Sequence, residues 1–300
     1  VSRSRLPVIQ VIERRNDTID VIMSGFISTS IARVVPDQQG KFDHRFGGPP
    51  RHRGTTPRGG DQPLHHLYTF DTTDPLVPVG IAGVRYLPLY YGFPYDAGGV
   101  GYRVISDDEI EIFGMENYRT EPDYPYPNYP KEFSETPIVL LPISKDEHDI
   151  LIRHVVPGHG DPEVLIPYVK EHYSGSAAER DSLLRALKEA SDEEGISYVN
   201  EKHEEDQYFL KESGYPFTQL GGLSVMWQGI PREPCPNKNC ENHELQGKLD
   251  VFAVIWGQPV PGVFLWDDDE NPETRFDEGV QIIFQICPLC QAIDASDRCD

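Results

Sequence analysis

Four of the five cysteines in this 300-residue chain fall into two short pairs. Cys235 and Cys240 are separated by four residues, and Cys287 and Cys290 by two. Thiolates close in sequence chelate without a large loop-closure cost, and two such pairs joined by strands can supply four sulfurs to one tetrahedral ion. The spacing therefore predicts zinc held by Cys235, Cys240, Cys287 and Cys290. Four protein ligands leave no position for water, so the site would be structural rather than catalytic. The rival reading is free or disulfide-bonded cysteines with no common purpose. Cys235 and Cys240 carry the wider spacing and are the less regular pair. Either His243 or Cys299 could replace a member of the quartet.

Other strings hint at chemistry and then break their own pattern. Asp267, Asp269, Asn271 and Glu278 occupy positions 1, 3, 5 and 12 of a calcium loop, but Pro272 stands where that loop needs glycine. An acidic loop between strands accounts for the stretch. The string Pro157-Gly158-His159-Gly160-Asp161 resembles a metal-ligand loop of metallo-β-lactamase-type hydrolases. The HxHxDH cluster those enzymes require is absent, and neither His65 and His66 nor His148 and His154 reproduce its spacing. A helix-entry turn is the simpler reading. Gly98, Gly99 and Gly101 run into a strand-like segment with no Lys-Ser/Thr, so they form no phosphate loop. No GxSxG elbow or HExxH helix occurs, and no residue is assigned a catalytic role. A metal-dependent hydrolase remains an alternative only through histidines and carboxylates that the sequence does not pair. A small-molecule binder is a third option. It would use the aromatic stretch from Tyr86 to Tyr102, whose bland counterpart is sheet packing.

Charge narrows the choice of partners. Lysine and arginine number 27 against 49 aspartate and glutamate, a net charge of −22. Such a surface repels phosphate backbones and suits a basic protein partner, or simply solubility. Sparse cysteines point to a reducing compartment rather than a disulfide framework. The opening ten residues hold arginines but no long apolar run, and no stretch reaches the roughly 18 apolar residues of a membrane helix. A cytoplasmic protein with no membrane contact is expected.

The elements that must position the cysteines read as α+β, mostly antiparallel sheets with a helical middle segment. Residues 1–150 form a β-rich N-terminal domain with an exposed loop at 37–64. Residues 151–212 form the helical segment, and 213–300 a C-terminal β unit carrying the zinc site. Strands are expected at 6–12, 19–23, 26–35, 67–70, 77–91, 102–105, 109–113 and 137–141, from β-branched runs and period-two alternation. Ser144 and Glu147 fit a capping box, Asp161-Pro162 a helix start, and 179–193 an amphipathic helix ended by Gly195. Pro167 should kink or delay the second helix. Residues 201–206 make an acidic, solvated face. Residues 248–256, 262–266 and 279–287 read as the last strands. The prolines of 121–136 read as an extended linker. The arginines of the 37–64 loop could meet the protein's own carboxylates or serve a partner.

The string running from Phe217 to Arg232 resembles a signature of the bacterial YwqG-like family. Leu220, Gly221, Gly222, Gln228, Pro231 and Arg232 match its opening, and 254–257 and 280–286 match later strands. The usual proline after the glycine pair is missing here, Ser224 standing near its place, and the cysteine pairs are additions. A weaker likeness joins this glycine-tryptophan opening and the cysteine pairs to the C-terminal domain of the programmed-cell-death-2 family. Its members are implied to chaperone a ribosomal protein. The YwqG-like resemblance implies a fold and no activity. Together with the charge, these likenesses suggest an immunity- or chaperone-like protein with a basic client.

Overall fold

The computed structural model describes residues 27, 30–95, 97–116, 118–121, 125, 129–155, 162–188, 217–224, 231–266 and 280–298. Its centre is one antiparallel sheet. In chain order the strands are β1 (Ala32–Pro36), β2 (Arg45–Phe46), β3 (His65–Asp71), β4 (Tyr86–Tyr91), β5 (Gly99–Ser106), β6 (Glu109–Phe113), β7 (Thr136–Pro142), β8 (Gln219–Leu220), β9 (Asp250–Trp256), β10 (Gln281–Ile286) and β11 (Ile293–Arg298). In space the order is β4-β3-β2-β7-β1-β8-β9-β10-β11-β5-β6. The two β-rich parts delimited in the sequence thus share one hydrogen-bonded sheet. β5 and β6, from the first part, pair beyond β11, from the last.

The sheet curls until its ends meet through side chains. Buried Tyr102 on β5 accepts the Tyr90 N–H at 3.2 Å and donates to the Pro88 carbonyl at 3.0 Å, so one hydroxyl satisfies two groups on the edge of β4. Asp107 takes the backbone N–H groups of Arg85 and Tyr86 at 2.7 and 2.9 Å. Along β6, the Arg53 N–H donates to the Asp108 carbonyl at 2.8 Å, and the Ile110 N–H donates to Arg53 at 2.9 Å. Both edges therefore have partners for strand groups that would otherwise invite another chain.

These contacts correct the expectation of an exposed loop at 37–64. The segment contains β2, and His44, Phe46, His52, Thr55 and Leu64 are buried. Apolar anchors are few, but hydrogen bonds hold it. His52 Nδ1 meets the Tyr90 hydroxyl at 2.8 Å, and His44 Nε2 meets Asp74 at 2.9 Å while its Nδ1 accepts the Asp71 N–H at 3.0 Å. Two of its arginines meet the protein's own carboxylates, Arg51 with Glu135 and Arg53 with Glu109, each at 2.7 Å. The aromatic residues of the 86–102 stretch are mostly core. Phe93 is 1% exposed and its ring centroid lies 4.7 Å from Tyr91, 5.0 Å from Trp266 and 5.5 Å from Tyr129.

Three helices form a layer on the sheet: α1 (Lys145–Val155), α2 (Pro162–His172) and α3 (Ala177–Lys188). The Ser144–Glu147 capping box is present, with the Glu147 N–H donating to Ser144 Oγ at 3.2 Å and the Ser144 N–H to Glu147 at 2.9 Å. A second box, Ser176 with Glu179, starts α3 earlier than periodicity suggests. α2 begins at Pro162 and runs through Pro167. Leu151, Ile152, Leu165, Val169, Leu183 and Leu187 meet Leu223 and Trp256 in a core of their own. Among the described residues no helix is long and apolar enough to cross a membrane.

Several strand assignments change: the strand expected at 77–91 begins only at Tyr86, and β2 and β8 are additional. Residues 262–266 hold only an isolated bridge between Val260 and Val263, because Gly262, with φ 78°, closes a tight turn there. β11, central between β10 and β5, is an additional strand. The strands expected at 6–12 and 19–23, the helix end after 188 and the acidic face at 201–206 lie outside the described residues.

Candidate metal centre

Each knuckle is a turn built by its own backbone. In the first, the Cys240 N–H donates to the Asn237 carbonyl at 2.9 Å, the His243 N–H to Cys240 at 2.9 Å and the Cys235 N–H to Asn242 at 3.2 Å. Asn237 Oδ1 accepts the Asn239 N–H at 3.0 Å, the local bond that lets asparagine hold a turn. A short 3₁₀ turn, Glu241–Glu244, follows. The second knuckle is the connection between β10 and β11. The Cys287 N–H donates to Ala292 at 2.8 Å and the Gln291 N–H to Cys287 at 2.9 Å, with Gln291 left-handed at φ 59°.

Four contacts seat the first knuckle against the sheet. Gln285 Nε2 on β10 donates to the carbonyls of Pro231 and Leu249, at 3.2 and 3.5 Å, on either side of the knuckle. Arg298 on β11 pairs with Glu233 at 3.3 Å. Asn242 Nδ2 approaches Cys287 Sγ at 3.5 Å. Pro236 lies over β5 where Gly101 carries no side chain. A Cβ there would sit 2.2 Å from Pro236 Cβ, so glycine is required by the approach rather than by its own backbone angles.

The result is a compact quartet. The sulfurs of Cys235, Cys240, Cys287 and Cys290 all lie within 4.8 Å of one another, the one such cluster of ligating groups among the described residues. Cys235 Sγ is 3.4 Å from Cys290 Sγ, and Cys240 Sγ is 3.7 Å from Cys287 Sγ. A disulfide would need about 2.05 Å, and all four cysteines are free. A tetrahedral ion with metal–sulfur bonds of about 2.3 Å would place its sulfurs roughly 3.8 Å apart. The quartet has that size.

Its electrostatics ask for a cation. Burial pushes the Cys235 thiol far above its usual range, and the neighbouring sulfurs add to the shift. Burial likewise takes Cys240 up to about 11. Burial also acts upward on Cys290, but the Ala292 N–H and hydrogen bonds from the other three sulfurs outweigh it and hold that thiol below its usual value. One thiolate is thus supported by its neighbours, and further negative charge is resisted unless a metal ion balances it. The N–H groups of Asn237 and Asn242 also favour the ionised forms of Cys235 and Cys240. Leu249 and Ala292 pack with the buried Cys235 and Cys287, and Phe113 lies beside them. The four sulfurs therefore fit a thiophilic metal ion.

His243 stands outside the quartet and bonds through Nδ1 to the Cys235 carbonyl at 2.7 Å, steadying the first turn. Cys299, the 267–278 acidic loop and the 157–161 string lie outside the described residues. Three of the histidines considered for hydrolase chemistry, His65, His66 and His148, serve the interior. His65 meets the Pro130 carbonyl at 2.7 Å, His66 meets Gly47 and Thr69 at 2.8 Å each, and His148 meets the Tyr168 hydroxyl at 2.8 Å. Burial holds all three near a pKa of about 4, so they are neutral at neutral pH.

Sequence reasoning missed Gly101, Gln285, Asn242 and Asp294. Asp294 on β11 lies opposite both Gln285 and Gly101. The residue is half-buried, but its Oδ2 is sealed from solvent without a hydrogen-bond partner, as is Gln285 Oε1. Burial, helped by Glu233, raises the Asp294 carboxyl to about 7. Only the alternation of Ile293, Asp294 and Ala295 signalled a strand there.

The glycine pair of the resemblance has a physical role. Gly221 and Gly222 are left-handed, with φ 67° and 66°. A Cβ on Gly221 would meet the Ser30 carbonyl at 2.0 Å, and one on Gly222 would meet Ile31 at 2.7 Å. The pair lets the chain leave β8 beneath the segment that enters β1.

Comparison of the chain with protein-family models, with curated proteins and with solved structures found no match.

Proposed function

We propose that Cys235, Cys240, Cys287 and Cys290 hold one zinc ion as a closed structural site. The protein carrying it would be a non-enzymatic, cytoplasmic interaction module for a basic protein client, immunity- or chaperone-like in role. The convergence of four unbridged sulfurs within 4.8 Å carries the metal reading. Four-sulfur tetrahedral sites suit zinc or iron, and redox-inert zinc suits a site whose task is to staple chain segments. A hydrolase would need an open coordination position, and four thiolates fill a tetrahedron. Free thiols favour a reducing compartment. The net charge of −22 supports a basic client and disfavours nucleic acid. Kinship with the YwqG-like family is proposed from the matching residues, chiefly Leu220, Gly221 and Gly222.

Two measurements test these parts separately. Elemental analysis of protein purified without added metal should find one zinc per chain; iron or no metal would overturn the ion. Affinity capture from native extract at low salt should enrich basic proteins and release them as salt rises. Recovery of acidic proteins only, or of none, would overturn the client.

A further inference from the structure

The arrangement of the sulfurs carries a second consequence, which rests on the zinc reading for its metal but not for its pairing. We propose that the site is a thiol-oxidation centre, in which hydroperoxides convert the quartet into two disulfides that cross between the knuckles, Cys235–Cys290 and Cys240–Cys287, and expel the ion.

Two observations point there. The Cys235–Cys290 contact of 3.4 Å and the Cys240–Cys287 contact of 3.7 Å each run from one knuckle to the other. Each pair also joins a half-buried cysteine to a fully buried one. Cys240 and Cys290 are half-buried, whereas Cys235 and Cys287 are fully buried. An exposed sulfur beside a resolving partner is the arrangement that redox-sensitive cysteines use.

The chemistry balances with peroxide as oxidant. The sulfur of half-buried Cys290 or Cys240 attacks a peroxide oxygen, the O–O bond breaks, and a sulfenic acid and water result. The buried partner then attacks that sulfur, the S–S bond forms, and the S–O bond breaks to release a second water. Each pair of thiolates gives up two electrons to one hydrogen peroxide and takes two protons from solvent. Two peroxides consume all four ligands. With all four sulfurs in disulfides, no donor of the quartet would remain to hold a redox-inert ion. Closing each contact to a disulfide of about 2.05 Å asks for a movement of roughly 1.5 Å, which the two turns can supply once the ion no longer spaces them.

The test uses the full chain, purified under reducing conditions, with its metal content measured first. Hydrogen peroxide is titrated in while a chromophoric chelator reports released zinc, and disulfides are mapped by mass spectrometry of unreduced peptides. The expected result is release of the ion as about two peroxides are consumed, disulfides linking Cys235 to Cys290 and Cys240 to Cys287, and recovery on adding a dithiol and zinc. Disulfides within the knuckles, Cys235–Cys240 and Cys287–Cys290, would overturn the proposal. So would oxidation that reaches sulfinic acids without disulfides, or a quartet that survives excess peroxide with its zinc in place. Protein that carries no metal refutes the zinc reading alone, because the disulfide map of the metal-free chain still decides the pairing.

Discussion

The aromatic core around Phe93 and the knuckle lobe around Cys287 achieve order in different ways. Phe93 touches Tyr91, Trp266, Tyr129, Phe133 and His65, and each of these rings has further neighbours, so stability is spread over many contacts. The knuckle lobe has only Cys235, Leu249, Cys287 and Ala292 as its buried cluster. So small a cluster cannot offset the ordering entropy of two turns by burial alone. A metal ion held by the four cysteines, as proposed, would concentrate the missing free energy in four bonds. The difference teaches that damage should be graded in one region and all-or-none in the other.

The largest effect should come from removing the metal. Binding of structural zinc contributes about 10–16 kcal/mol in small zinc-finger peptides, so chelation, or Cys287→Ser, should release the knuckles. Hydrogen exchange should rise sharply at 231–249 and 287–292 while β3 and β4 stay protected. Equal loss of protection in both regions would break the comparison.

Acid should strike the other region. His65 and His66 lie in the aromatic core and His148 in the helix layer, each with its pKa lowered to about 4. Because the folded value lies below the unfolded one, the unfolded chain binds more protons as pH falls below about 6.5, and stability declines until about pH 4. At pH 5 each should cost about 2 kcal/mol, on the order of 6 kcal/mol for the three. Chemical denaturation of the chelated protein at pH 7 and pH 5 checks this without interference from metal release. An unchanged midpoint would contradict it.

Phe93→Ala should cost about 3–5 kcal/mol by opening a cavity among rings that relax only in part. Calorimetry should show a lower unfolding temperature with full metal content. Loss of metal would show that the two regions are not energetically separate.

Asp294→Asn sharpens the comparison from the other side. Burial raises this carboxyl to about 7, so its stability contribution falls as pH rises from the unfolded value near 4 through 7. The variant should gain about 2–3 kcal/mol at pH 8 and little at pH 4. Denaturant midpoints at the two pH values decide it, and a gain independent of pH would contradict the cause given.

Gly101→Ala should have the smallest effect, about 1–3 kcal/mol, because Pro236 must move to admit the methyl group. Zinc affinity measured by competition should fall with it. Unchanged affinity would show that β5 does not seat the knuckle.

The cysteine cluster was the most legible part of the sequence, and for the same reason that it is concentrated. Cys235 with Cys240, and Cys287 with Cys290, announce themselves by local spacing. The Ser144–Glu147 capping box and the alternation of β6 were legible for that reason too. What the sequence hid was set by contacts between distant residues. Gly101 reads as part of a glycine-rich turn, and only Pro236 above it explains why β5 contains it. β11 carries Asp294, Ser296 and Asp297 on an interior strand between β10 and β5, against the composition of a buried strand. Segment 37–64 has few apolar residues, and histidines and backbone bonds hold much of it alongside buried Phe46 and Leu64. The arrangement of the strands was equally hidden, since nothing local tells β5 to pair with β11.

The most direct test of the central claim is cobalt substitution of the reduced, metal-free chain. One equivalent of Co²⁺ should produce intense visible bands of a tetrahedral ion together with sulfur-to-metal charge transfer of four-thiolate strength, and zinc should abolish both. A weak octahedral spectrum, or no spectrum at all, would contradict a closed four-sulfur site.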